Sequence, residues 1–110
     1  MGALAVIGAS HPRNLVHIVL NNGAHETVGG MPTVAGNMDI CEVARACGYS
    51  VISSASDDIK LDTALNMAKA ARDLTFLEIK CAIGSRADLG RPTTTARENK
   101  ENFMDYMKEL

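Results

Sequence analysis

The sequence has few aromatic residues, no tryptophan and almost no net charge. Aromatic residues make up 4% of its 110 residues, and the formal net charge at pH 7 is -2. Surfaces that bind nucleic acid combine basic patches with aromatic stacking platforms, and anionic membranes also attract basic patches. The composition therefore predicts that neither nucleic acid nor a membrane surface is a partner.

Long hydrophobic runs and paired cysteine motifs are absent as well. The apolar run at 3–7 is far too short to span a bilayer, and no basic stretch precedes it as in a signal peptide. The three cysteines, Cys41, Cys47 and Cys81, have no CxxC spacing, which argues against both a disulfide framework and a zinc site. We therefore expect reduced thiols and a cytoplasmic protein.

What remains is the composition of one ordinary globular domain, 46% apolar and 22% charged. Apolar periodicity and turn residues predict helices that alternate with strands. The predicted helices cover 1–9, 39–47, 56–71 and 95–110, and the predicted strands cover 15–20, 50–54 and 74–81. This order predicts an α/β fold, a parallel sheet with right-handed crossovers and flanking helices.

Two of the predicted helices carry an apolar stripe that should face a core. In the third helix the stripe consists of Ile59, Ala64, Leu65, Ala68 and Ala71. In the last helix it consists of Phe103, Tyr106, Met107 and Leu110.

The first predicted strand ends abruptly at Asn21-Asn22-Gly23, and an irregular loop rich in glycine, threonine and proline follows over 23–37. Ligands of open α/β sheets bind outside the carboxyl ends of the strands. Amide oxygens can bind a hard cation, and glycine allows close backbone approach. The pattern predicts a Mg²⁺ site that carries a phosphorylated ligand. The alternative is that Asn22 only ends the strand in an Asx turn.

Two longer blocks make the interpretation more specific. The segment 21–30 (NNGAHETVGG), together with 88–95 (DLGRPTTT) and 98–100 (ENK), resembles the phosphonopyruvate decarboxylase family of thiamine diphosphate enzymes. The similarity runs through the whole chain. The asparagine pair resembles the second half of the thiamine diphosphate motif, whose first half is Gly-Asp-Gly.

This resemblance implies that 1–110 is the C-terminal part of a thiamine diphosphate-binding domain and lacks the Gly-Asp-Gly half. Too few residues precede Asn21 to hold that half, so the family spacing places it upstream of Met1. The pyrimidine-binding domain of the family is missing too. We therefore expect the isolated chain to be inactive, and expect a homo-oligomer or a complementary chain to complete the site.

The resemblance also implies a reaction, the decarboxylation of the 2-oxo acid 3-phosphonopyruvate to phosphonoacetaldehyde and CO₂. Thiamine diphosphate would be the electron sink, held through Mg²⁺. The implied cofactor-binding residues are Asn21, Asn22, Gly23, Ala24 and His25. On the family pattern, the side-chain oxygen of Asn22 and the backbone carbonyl of Ala24 coordinate Mg²⁺.

Histidine and arginine side chains are candidates for contacts with substrate. His25 could donate a hydrogen bond or a proton to substrate or diphosphate, which makes it the candidate catalytic residue, or it could be a surface histidine. Arg91 is the candidate substrate residue because guanidinium groups suit phosphonate oxygens. The alternative is a surface arginine that pairs with Asp88 or Glu98. His17, on a predicted buried strand, is expected to be a hydrogen-bonded core residue.

Two other functions stay open. A sulfopyruvate decarboxylase subunit would use the same cofactor chemistry on a sulfonate. A non-catalytic module would instead self-associate through the apolar surface that the absent half would have covered.

Overall fold

The structure is a computed structural model, and it describes residues 2–109. Each predicted helix and strand is present, with ends shifted by one or two residues. The helices are α1 (Gly2–Ser10), α2 (Ile40–Ala46), α3 (Asp58–Ala70) and α4 (Ala96–Lys108). The strands are β1 (Val16–Asn21), β2 (Ala24–His25), β3 (Met31–Pro32), β4 (Val51–Ala55) and β5 (Thr75–Lys80).

The main sheet contains three parallel strands in the order β1-β5-β4. The strand that comes last in the chain is therefore the central one, and both of its neighbours pair with it. Thr75 at the start of β5 lies opposite Val16 on one side and Val51 on the other. These observations confirm the predicted α/β fold with a parallel sheet and flanking helices.

The segment predicted as an irregular loop contains a small antiparallel ribbon formed by β2 and β3. Short 3₁₀ turns at Glu26–Val28 and Val34–Asn37 accompany it. Gly29 and Gly30 both have positive φ, 85° and 76°, where other residues are strained, and this lets the chain reverse between the two strands. The prediction was wrong in treating the whole segment as irregular.

The helix starts follow their local capping signals. Asp39 accepts a hydrogen bond from the backbone N–H of Glu42 at 3.0 Å, and Asp57 accepts one from that of Lys60 at 2.9 Å. Thr95 and Glu98 form a reciprocal capping box at the start of α4.

Helices cover both faces of the sheet and give two clusters of buried residues. The cluster on the side of α1 and α2 consists of Ala44, Tyr49, Leu74 and Phe76. The cluster on the side of α3 consists of Ala55, Ala64 and Leu77.

His17 is hydrogen-bonded as predicted, but β1 is an edge strand with no buried residue, so His17 is half-buried and packs against the first of these clusters. Its Nδ1 lies 2.9 Å from the hydroxyl oxygen of Tyr49, and its ring meets Phe76 edge to face at 5.4 Å.

The close approach of α1 to the end of α2 depends on a glycine. A Cβ atom added at Gly8 would lie 1.6 Å from the carbonyl oxygen of Cys47. The two backbones can approach this closely because no side chain separates them.

The predicted apolar stripes were partly wrong. In α3, Ala64 and Ala68 are buried as expected, but Ile59 is 81% exposed and Leu65 is exposed too. Leu61 packs on the sheet instead, because the spacing 61, 64 and 68 aligns with the buried face and position 59 lies off it. In α4, Phe103, Tyr106 and Met107 are all exposed, since no core lies beneath this helix. Leu110 lies outside the described residues.

Within residues 2–109, no helix combines the length and the apolar character needed to cross a membrane.

Candidate functional site

A cavity of about 560 Å³ opens at the carboxyl edge of the sheet. Asn21 from β1, Ser54 from β4 and Glu78 from β5 line it, and the first turn of α2 adds Cys41. Lys80, at the end of β5, also lines it. This is the edge at which open parallel sheets bind their ligands, so the position predicted from the sequence coincides with a real cavity.

Glu78 is the centre of a hydrogen-bonded cluster in this cavity. Although charged, it is only 5% exposed. Its Oε1 accepts a hydrogen bond from Nδ2 of Asn21 at 2.7 Å, and its Oε2 accepts one from Oγ of Ser54 at 3.0 Å. The Sγ of Cys41 lies 4.0 Å from the same Oε2.

The sheet register explains why these residues meet. Ser54 pairs directly with Glu78, and so does Val19 on the other side. Asn21 lies two residues beyond Val19 and therefore on the same face of the sheet. This cluster, defined by Asn21, Cys41, Ser54 and Glu78, is called the Glu78 cluster below.

Cys41 enters the Glu78 cluster as a neutral thiol. Burial raises the pKa of its thiol, and the negative charges of Glu78 and then Asp39 raise this pKa further. Its Sγ also lies 3.7 Å from the carbonyl oxygen of Ser53, within sulfur hydrogen-bonding distance. Its single S–H can donate either to this carbonyl or to Oε2 of Glu78, which is the more distant of the two acceptors, and the neutral thiol adds no charge to the cluster.

Both asparagines at the end of β1 form Asx turns. Oδ1 of Asn21 accepts a hydrogen bond from the N–H of Gly23 at 3.0 Å, and Oδ1 of Asn22 accepts one from the N–H of Ala24 at 3.1 Å. Gly23 has a φ of 67°. The Asx turn, one of the two interpretations of Asn22, is therefore present. An amide oxygen has two lone pairs, so the turn leaves one free for a cation.

Glu26 connects this turn to the chain that follows β5. Its Oε1 accepts hydrogen bonds from Nδ2 of Asn22 at 2.7 Å and from the N–H of Gly84 at 2.9 Å. The amide of Asn22 is thereby held at both ends, and its oxygen has a defined direction.

His25 lies on a different surface from Glu78. It is exposed on β2 and lines a neighbouring groove of about 620 Å³, together with Ala24. Asn21 and Asn22 line both this groove and the cavity, whereas Gly23 lines the cavity. The structure thus brings the five predicted cofactor-binding residues to one end of β1, and their roles stay predictions.

Arg91 lies apart from these residues. It is exposed in the irregular segment after β5 and lines a shallow pocket of about 370 Å³, separate from the cavity and the groove. Asp88, one of the two partners considered for Arg91, pairs with Arg86 instead, whose Nε lies 3.2 Å from Oδ1 of Asp88. Glu98 is engaged in the capping box. Among residues 2–109, Arg91 forms no ion pair.

The donor set fits part of a Mg²⁺ site. In the described part of the chain, no group of three or more histidine, cysteine, aspartate or glutamate residues could hold a metal ion. The free lone pair of Asn22 and the carbonyl of Ala24 are hard oxygen donors of the kind that Mg²⁺ selects. Mg²⁺ sites also use carboxylates and phosphates, which would have to come from other groups.

Glu78 was missed by the sequence analysis. The available signal was a lone carboxylate inside the mostly apolar run Leu74 to Ile79, whose other polar residue is the uncharged Thr75. Fully buried glutamate is rare unless it is paired, so a glutamate on a strand assigned to the core already indicates a special role.

Comparison with known proteins gives relatives that are decarboxylases. No family model matches the chain. The chain is 37% identical over 109 residues to the phosphonopyruvate decarboxylase of Streptomyces hygroscopicus, which covers 99% of the chain and 27% of that protein. It is also 37% identical over 107 residues to the phosphonopyruvate decarboxylase of Streptomyces viridochromogenes, covering 97% of the chain and 27% of that protein.

A third relative is the sulfopyruvate decarboxylase subunit beta of Methanocaldococcus jannaschii, 32% identical over 57 residues, 51% of the chain and 30% of that protein. The chain thus spans about a quarter of the length of the phosphonopyruvate decarboxylases that it matches. It is homologous to phosphonopyruvate decarboxylase over nearly its whole length, and it is part of a protein resembling the phosphonopyruvate and sulfopyruvate decarboxylases, which are 2-oxo acid decarboxylases.

Proposed function

We propose that residues 1–110 form the cofactor-binding part of a Mg²⁺- and thiamine diphosphate-dependent decarboxylase that converts 3-phosphonopyruvate to phosphonoacetaldehyde and CO₂. The observation that carries this proposal is the Asn21-Asn22 turn at the carboxyl end of β1. It lies in a chain 37% identical to two phosphonopyruvate decarboxylases. In this proposal the chain is a partial thiamine diphosphate-binding domain of a cytoplasmic enzyme.

The proposed roles follow from the donors. The side-chain oxygen of Asn22 and the carbonyl of Ala24 hold Mg²⁺, while Asn21 and Gly23 shape the turn between β1 and β2. When bound, thiamine diphosphate supplies the electron sink for the loss of CO₂. His25, exposed beside the groove, donates a hydrogen bond or a proton to the substrate or to the diphosphate.

Arg91 would bind the phosphonate through its guanidinium group. Because Arg91 lines neither the cavity nor the groove, this role requires the exposed segment 82–94 to bring it to the bound substrate.

Cofactor binding can be measured on a chimera in which residues 1–110 replace the matching segment of the Streptomyces hygroscopicus phosphonopyruvate decarboxylase, because the remaining ligands of the proposed site would come from other groups. We would titrate this chimera with Mg²⁺ and thiamine diphosphate by calorimetry, for the wild type, Asn22→Ala and Asn66→Ala. Asn66 is exposed on α3, far along the chain from the turn, and is the matched control. Asn22→Ala should weaken binding by at least about tenfold, the size that loss of an outer-shell partner already costs. Equal weakening by both variants would contradict the role of Asn22.

The substrate requires a complete enzyme. Both keto acids would be offered to the same chimera. We expect faster turnover of 3-phosphonopyruvate, and loss of turnover when the chimera also carries Asn22→Ala. Faster turnover of sulfopyruvate would favour the second candidate, a sulfopyruvate decarboxylase subunit. A folded chimera that binds cofactor and decarboxylates neither acid would refute both.

A non-catalytic, self-associating module is supported by exposed apolar residues. Val16, Ile18 and Leu20 alternate on one face of β1 and are 41%, 45% and 71% exposed. Sedimentation velocity of the chain tests whether it self-associates, as this hypothesis expects. A homo-oligomer is also expected of the enzyme, so only a folded oligomer that fails to bind cofactor would favour the module.

A further inference from the structure

We propose that Glu78 is a positioning residue for the turn 21–24. Its carboxylate fixes the amide of Asn21, which in turn holds the N–H of Gly23 and so orients Asn22 and Ala24. The geometric part of this proposal concerns the protein alone. The part that concerns Mg²⁺ and diphosphate rests on the proposed function.

The first argument is the cost of burying a charge. A carboxylate that is 5% exposed is costly unless it is paired and hydrogen-bonded. Lys80 lines the same cavity, but among residues 2–109 no ion pair joins it to Glu78. The carboxylate is instead satisfied by neutral donors, the amide of Asn21 and the hydroxyl of Ser54, and the thiol of Cys41 lies 4.0 Å from it. The fold thus keeps a buried carboxylate and surrounds it with donors.

The second argument is the direction that this carboxylate imposes on Asn21. An ionised carboxylate only accepts hydrogen bonds, so the amide of Asn21 must turn its nitrogen toward Glu78. Its oxygen then faces the N–H of Gly23, which it accepts at 3.0 Å. The flipped amide would place its oxygen against the carboxylate and its NH₂ against the N–H of Gly23. Both contacts would be repulsive.

The third argument is the place of Gly23 between the two proposed Mg²⁺ ligands. Asn22 precedes it, Ala24 follows it, and its φ of 67° sets the angle between them. Whatever holds Gly23 in this conformation therefore affects the position of both ligand oxygens, in addition to Glu26, which accepts a hydrogen bond from the amide of Asn22 directly. The connection from Glu78 to Gly23 passes through one side chain and two hydrogen bonds of 2.7 and 3.0 Å.

Glu78→Gln tests the proposal with almost no change in volume. A glutamine has one acceptor and one donor end. If its NH₂ faces Asn21, the hydrogen bond to Asn21 is lost. If its oxygen faces Asn21, that bond loses its charged acceptor and becomes weaker, and the hydroxyl of Ser54 must reverse its role to accept from the NH₂. In ¹H–¹⁵N spectra of the 110-residue chain, we expect Glu78→Gln to shift the side-chain NH₂ of Asn21 and the backbone N–H of Gly23.

Three controls separate positioning from a general loosening of the fold. Glu42→Gln changes an exposed glutamate that pairs with Arg45 on the same helix as Cys41, and it should leave both signals unchanged. Ser54→Ala and Cys41→Ala remove donors to Oε2 and spare Oε1, so they should also leave the Asn21 NH₂ close to its wild-type position. If these two variants shift Asn21 and Gly23 as much as Glu78→Gln does, Glu78 has no specific positioning role.

A further test uses the wild type alone, so it does not require any variant to fold. The side-chain NH₂ of Asn21, bonded to a buried carboxylate, should exchange with solvent at least about tenfold more slowly than that of exposed Asn66. Equal exchange rates would overturn the proposal.

The part of the proposal that concerns the ligand is tested by the affinity for Mg²⁺ and thiamine diphosphate of the chimera described under the proposed function, which supplies the rest of the site. Glu78→Gln should weaken this affinity by no more than about tenfold, the lower end of what loss of a direct partner of a metal ligand costs, because Glu78 acts through Asn21, while Glu42→Gln leaves it unchanged. A wild type without affinity would contradict the proposed function, and the spectra would then decide the positioning role by themselves. If the wild type binds the cofactor and Glu78→Gln has the same spectra and the same affinity, the proposal is overturned.

Discussion

Two regions of this protein are stabilised in different ways. In the sheet body, residues 2–81, the decisive contacts join residues distant in sequence, such as Asn21 with Glu78 and Gly8 with Cys47. In the C-terminal segment, residues 82–109, the stabilising contacts of α4 are local. They are its capping box and ion pairs such as Arg97 with Glu101 at 2.8 Å.

Burial shows the same contrast. β5 is buried at Thr75 to Glu78, whereas α4 has no buried residue within its described length. An isolated helix of this length is only marginally stable in water. We infer that the body unfolds as a cooperative unit and that α4 can fray without disturbing it. The proposed site lies at the edge of the cooperative region.

The two phenylalanines test this contrast most directly, because the chain has one in each region. Phe76 is fully buried, and Phe103 is 64% exposed. Phe76→Ala should lower the free energy of unfolding by about 3–5 kcal/mol through the lost contacts and the cavity. Phe103→Ala should change it by no more than about 0.5 kcal/mol. Urea denaturation followed by circular dichroism measures both, and similar losses would mean that α4 packs on the body.

The next largest effect on the free energy of unfolding is expected from the two glycines of α1, Gly2 and Gly8. Gly8→Ala would bring a Cβ within 1.6 Å of a backbone oxygen, and overpacking of this kind costs about 1–3 kcal/mol or more. At Gly2 an added Cβ meets nothing within 4 Å, so Gly2→Ala should be neutral or slightly stabilising. Urea denaturation measures the free energy of unfolding of both variants. If Gly8→Ala is as harmless as Gly2→Ala, α1 does not approach α2 so closely.

A smaller effect is expected from the capping box of α4. Thr95→Ala removes the hydroxyl that caps the helix, a loss of about 1 kcal/mol in helix stability. Carbon chemical shifts of α4 should move toward coil values, while the urea midpoint of the body stays the same. A lower midpoint would show that α4 and the body unfold together.

The smallest effect is a pH dependence confined to α4. The backbone N–H of Thr95, and after it the Thr95 hydroxyl, holds the pKa of Glu98 below its usual 4.5. A carboxyl group with a lowered pKa stabilises the folded form above its unfolded pKa, and this contribution is lost as the pH falls through the folded pKa. The helical shifts of α4 should therefore decline below about pH 4.5. In Glu98→Gln they should decline less, and an identical decline would assign the effect to another group.

Local signals in the sequence were enough for the element order and the helix starts. The helices capped by Asp39, Asp57 and Thr95 begin within two residues of the predicted starts, because a cap involves residues only three positions apart. The end of β1 at the asparagine pair was also correct to within one residue. For the same reason α4, whose stabilising contacts are local, was among the easiest elements to predict.

It was harder to predict from the sequence which side chains face the core. Periodicity placed Ile59 in the core, yet Leu61 packs there, since an alanine-rich helix leaves its rotation to be decided by the surface on which it packs. The stripe on α4 predicted a core contact that the described structure does not contain. A pattern of apolar residues says which side of a helix is apolar, and not whether anything covers it.

The sequence by itself determined the elements, their caps and the turn at Asn21 and Asn22, because hydrogen bonds between near neighbours decide these features. Only the tertiary structure decided that Glu78 meets Asn21, 57 residues away along the chain. That contact exists because β5, last of the three parallel strands in sequence, lies between the other two. Strand order depends on the packing of the whole domain, and the burial of the carboxylate follows from it.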